Sequence, residues 1–94
     1  MMECPKSEET TRYITAFEEI LNNMANKMLL PNTSNSITVN FIEDMIPHHE
    51  GAIAMSKNVL RYPIDPRLEK MTKPIVQEQS RRIRQLKEAQ IHLC

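Results

Sequence analysis

The chain predicts an all-α fold, an antiparallel bundle of three long helices, and three observations carry that prediction. Its 94 residues include one glycine and no tryptophan, and β-branched residues rarely cluster, a composition that suits helices better than sheet. Apolar residues recur at three- and four-residue intervals through three long stretches, the period of amphipathic helices. Two clusters of Pro, Asn, Ser and Asp separate those stretches at loop length. With 40% apolar and 26% charged residues, the chain is a folded rather than a disordered one. One domain spanning 1–94 is expected. A domain this small has room for only a modest core, which points to completion by a homo-oligomeric partner.

The first helix opens near Ser7, a capping hydroxyl followed by Glu8 and Glu9 at the positive end of the helix dipole. Tyr13, Phe17, Ile20, Leu21, Met24 and Met28 keep its period to about Leu29. Residues 30–36 string together breakers and caps, with Asn35 or Ser36 as the next N-cap. The second helix runs from about Ile37 to Arg61 with two adjacent stripes. One is Phe41, Met45, His48, Ala52, Met55 and Val59; the other is Ile42, Ile46, His49, Ile53 and Leu60. Both histidines are therefore expected to face inward. Pro47 removes a donor to the carbonyl of Glu43, and Gly51 costs about 1 kcal/mol relative to alanine in a helix. Such departures mark either a kink that opens the histidines to a ligand or a place where a neighbouring helix comes close. Asp65-Pro66 caps and starts the third helix, in which Leu68, Met71, Ile75, Gln79, Ile83 and Leu86 hold the period to about His92 while Pro74 kinks or interrupts it.

Equal rise along antiparallel neighbours makes facing residue numbers of the second and third helices sum to about 126. That places Met55 near Met71, His48 near Glu78 and Gln79, and Met45 near Arg81 and Arg82. The same arithmetic over the first loop brings Phe17 and Glu18 toward His48 and His49. Met24, Met28 and Met71 read as core packing. Cys4 and Cys94 fall at opposite ends of the bundle, so they are expected to be free thiols.

Formal charge sums to zero, yet it is unevenly spread: residues 1 to 55 carry −5 and residues 56 to 94 carry +5. An acidic first half and a basic last helix favour packing against each other, within one chain or between two. The basic run Arg81, Arg82, Arg84 and Lys87 has no aromatic residues for base stacking, which argues against a nucleic-acid partner. Neither a membrane span nor the apolar core of a signal peptide occurs in the chain as written, so a soluble cytoplasmic protein is expected, exported only if a leader has been trimmed.

The stretch Met45-Ile46-Pro47-His48-His49-Glu50-Gly51-Ala52-Ile53-Ala54-Met55 sets two histidines between two methionines. Imidazole and thioether suit a soft metal such as Cu(I), whereas carboxylates dominate sites for hard cations. Met45 with His49, and Asp44 with His48, are i,i+4 pairs that put two donors on one helical face. The second pair suits zinc, but no third ligand or nearby cysteine supports it. The alternative reading makes the histidines hydrogen-bonded core residues of a structural or interaction module.

Phe41, Met45-Ile46-Pro47-His48-His49, Gly51-Ala52-Ile53 and Met55, followed by Asp65-Pro66, Ile75 and Gln79, resemble the "domain of unknown function 305" family. The resemblance covers about residues 38 to 90. It implies a ferritin-like helical bundle, a metal-linked role with copper handling in several members, usually outside the cytoplasm, and no known catalytic activity. Matched position by position, it carries Met45, His48, His49, Met55 and Gln79 as candidate functional positions, the first four as metal-site residues; the chemistry of Gln79 suits either orienting a ligating imidazole by accepting its ring N–H or satisfying an unliganded histidine. After its glutamine the family pattern has an acidic residue and a methionine, where this chain has Arg82 and Leu86. No Glu-x-x-His pair of a di-iron oxidase occurs, nor any nucleophile triad or glycine-rich phosphate loop, and a non-enzyme is expected.

Overall fold

The computed structural model describes residues 7–28 and 36–91, and these form three helices: α1 (Glu8–Met28), α2 (Ile37–Val59) and α3 (Pro66–Ile91). Each begins at a cap legible in the sequence. Ser7 Oγ accepts from the Thr10 amide at 3.1 Å, Ser36 Oγ from the Val39 amide at 3.3 Å, and Asp65 Oδ1 from the Arg67 amide at 2.8 Å. Each bond satisfies one of the amides that a helix start leaves without a partner. The Asp65 carboxyl also meets the Arg67 guanidinium at 2.9 Å, and this pairing holds it below the ordinary carboxylate value. Asn35, Cys4, Cys94 and the His92-Leu93-Cys94 end lie outside the described residues.

Helix α2 is the middle of the structure. Helix α1 packs on one of its sides and α3 on the other, while α1 and α3 do not pack on each other. The α1 side is built around Gly51, where a Cβ would collide with the thioether of Met24. Of the two readings of that glycine, the close helix approach is the one observed. Further along this seam the buried Asn58 side chain donates to the Tyr13 carbonyl at 3.1 Å, and Tyr13 meets Tyr62 edge-on at 6.1 Å. The contacts Tyr13 with Asn58 and Met24 with Gly51 set a register that differs from the one expected. They place Phe17 and Glu18 about two turns beyond His48 and His49, toward the C-terminal end of α2.

Ile42, Ser56 and Thr72 are buried on the α3 side. Thr72 and Ser80 turn their hydroxyls back to the carbonyls of Leu68 and Val76, each at 2.7 Å, so these small polar side chains are satisfied within their own helix. Pro47 and Pro74 both sit inside continuous helices, and α3 is not interrupted at Pro74.

Among the described residues Ile42 and the ring of Pro47 are the buried apolar side chains, and no large side chain is fully enclosed. The Cα radius of gyration is 16.3 Å, where a compact domain of this length has about 12 Å. Three helices side by side give each outer helix one neighbour and leave broad faces uncovered. This corrects the core assigned to α3: Met71 is 70% exposed, Leu68 44% and Ile75 36%. Met24 and Met28 are half-buried.

Candidate functional site

The motif histidines ride on the middle of α2, and the helix itself orients one of them. His49 Nδ1 lies 2.7 Å from the backbone carbonyl oxygen of Met45, one turn earlier. A carbonyl only accepts, so Nδ1 carries the hydrogen and donates it. In the neutral ring this leaves the Nε2 lone pair as the free donor atom, the arrangement usual for a metal-binding imidazole. Half-buried His49 lines a groove of about 280 Å³ between α2 and α3, with Phe41, Met45, Arg82, Gln85 and Leu86. The antiparallel register of these two helices therefore brings Met45 beside Arg82 as the arithmetic predicted.

His48 does not face inward. It is exposed, its ring centroid 6.0 Å from that of His49 and inclined at 67°. The reason is angular. At 100° per residue, α1 and α3 occupy nearly opposite sides of α2, and His48 points between them, along the stripe that also holds Phe41 and Met55. Met55 is half-buried, but it lies ten residues beyond Met45, about 15 Å along the axis. One ion held by a single chain does not span both sulfurs. Gln79 is half-buried on α3, and because His49 Nδ1 is taken by its own helix, that ring needs no orienting partner from α3.

Arg82 is the group that sequence periodicity alone does not flag as part of a site. Its side chain lines the same groove as Met45 and His49, placing a fixed positive charge where a cation would bind. Gln85 and Leu86 were legible by the same facing-number rule extended one turn. Among the described residues no three His, Cys, Asp or Glu side chains gather into a metal-binding group, which is the arrangement that zinc and hard cations ask for. What converges instead is one imidazole and one thioether.

No helix among the described residues is long and apolar enough to cross a membrane. No curated protein matches the chain. A cap-defined three-helix order, Pro47 and Gly51 inside α2 and the histidine pair between them extend over the same span as one family model, which matches residues 4–90: the chain belongs to the family described as domain of unknown function (DUF305).

Proposed function

We propose that the protein binds a soft transition metal, Cu(I) before zinc, for buffering or transfer rather than catalysis. Met45 and His49 supply the inner donors of one ion, and His48 and Met55 supply donors on the stripe between α1 and α3, Met55 to an ion other than the one that Met45 holds. The observation that carries this reading is the 2.7 Å bond from His49 Nδ1 to the Met45 carbonyl, which orients the ring and leaves the Nε2 lone pair as its donor, on a residue that lines the groove together with Met45. A thioether and an imidazole match the preference of a soft monovalent ion, and such an ion suffers less from Arg82 than a divalent one would. Oligomerisation into a larger, ferritin-like bundle belongs to the same proposal, and the scarcity of buried apolar side chains supports it.

Anaerobic titration of the reduced protein with Cu(I), against a competing chromogenic chelator, tests the site. Binding that the His48→Ala/His49→Ala variant loses is expected; an unchanged variant would overturn it. The second reading, a structural or interaction module, is favoured by Arg82 in the groove. It requires that neither Cu(I) nor Zn(II) be retained.

A further inference from the structure

One broad face of the molecule is apolar, and the exposed side chains define it. Phe41 is 60% exposed and Ile37 87%, and both belong with His48 to the side of α2 that lies between α1 and α3. On α3, Leu68, Ile75 and Arg82 recur at seven-residue steps, with Met71 beside them. Arg82 shares a groove with Phe41 and Met45, so this side of α3 opens in the same direction. Helix α1 runs antiparallel to α2, and the right-handed sense of the helix turns Leu21, 40% exposed, to that same side. Six of the seven exposed large apolar residues thus share one face, Ile91 being the exception. The opposite face carries Glu43, Glu50 and Lys57 on α2 and Lys73, Gln77 and Arg84 on α3.

We infer that a second copy of this chain covers the apolar face, in a two-fold arrangement with the two α2 helices parallel, which sets the two His48 imidazoles side by side across the axis. Three features argue for a copy of the same chain. The structure measures 50 × 26 × 22 Å, so the face outlines roughly 1,300 Å², where a standard interface takes about 800 Å² from each partner. A copy also supplies what the single chain lacks, a layer of side chains over α2. Charge then selects the orientation. Helix α1 holds four glutamates against Arg12 and Lys27, and α3, leaving aside Lys73 and Arg84 on its far side, holds five basic against three acidic residues. A parallel two-fold lays each α1 over the other copy's α3, opposite charge on opposite charge, whereas the antiparallel alternative stacks like on like. In the parallel form every stripe residue meets its own counterpart, and His48, the midpoint of Ile37–Val59, sits at the centre. The interface stands without metal; any sharing of an ion by the His48 pair rests on the copper reading above.

The test is metal-free. Sedimentation equilibrium of the full chain is expected to give twice the 11.0 kDa chain mass, and Phe41→Glu to weaken association roughly 100-fold by burying a charge at the seam. Because a monomer with so little core may lose its helices, cysteine pairing supplies an independent readout. In a Cys4→Ser/Cys94→Ser background, mild oxidation is expected to link His48→Cys and Phe41→Cys as dimers and to leave Lys57→Cys, on the opposite face, unlinked. A link through His48→Cys without one through Phe41→Cys would overturn the parallel orientation. A monomeric mass with neither link would overturn the proposal, and a monomer that partitions onto phosphatidylcholine vesicles would name a lipid surface as the occupant instead. A failed copper titration leaves each of these results intact.

Discussion

The two flanks of α2 solve the same problem, holding a neighbouring helix, with opposite materials. Toward α1 the seam uses irregular residues: Pro47, a glycine under a methionine, and a buried asparagine bonded to a backbone carbonyl. Toward α3 it uses Ile42 with the Thr72 and Ser80 hydroxyls satisfied within α3, and it leaves a groove at one end. The close, shape-dependent flank carries no donor of the candidate site, while the grooved flank carries Met45 and His49. Scaffold and chemistry are divided between the two sides of one helix.

The sharpest way to break that division is to fill the glycine. Gly51→Leu forces side-chain atoms into the space of Met24, and a loss of about 3 kcal/mol in chemical denaturation is expected. Met24→Ala combined with it should return much of that loss, and a double-mutant cycle with no coupling would show the two residues to be independent. On the same flank, Asn58→Ala removes the bond to Tyr13 and is expected to cost about 1–2 kcal/mol, with Cu(I) binding unchanged. The reverse pattern is expected across α2: Arg82→Met removes a charge and adds a thioether, raising Cu(I) affinity roughly tenfold in the chelator competition, about 1.4 kcal/mol, with little change in thermal midpoint. A fall in affinity would remove Arg82 from the site.

The smallest effect belongs to the turn that joins α2 to α3. The Arg67 guanidinium lowers the Asp65 carboxyl from its ordinary value of 3.8. A carboxylate lowered in the folded state adds stability above its unfolded value and loses it as pH falls through the folded one. Asp65→Asn should therefore lower the thermal midpoint slightly at neutral pH, and the difference from the parent should shrink below about pH 4. An equal difference at all pH values would assign the effect to the cap hydrogen bond rather than to charge.

Helix number and starts were legible because caps are local: Ser7, Ser36 and Asp65 act on amides two or three residues away. The α2–α3 register was legible because a short turn ties the two helices, so equal rise brought Met45 beside Arg82. The longer first loop gives no such tie, and the α1 register was set instead by the fit of Met24 over Gly51, which periodicity does not encode. His48 and Met71 were assigned inward because an apolar stripe implies something covering it. Periodicity cannot say whether the cover lies in the same chain, and within this chain none is present on that face among the described residues.

Because α1 and α3 meet only through α2, they are free to vary separately. In the monomer, substitutions confined to one should combine additively with substitutions confined to the other, whereas in the proposed dimer, where each α1 lies over the partner's α3, charge substitutions should couple. Within one chain each flank can then be retuned, one for fit and the other for ligand, without refitting its opposite, and any coupling between the acidic and the basic helix reports the second copy. The middle helix is the single element on which both sets of constraints fall.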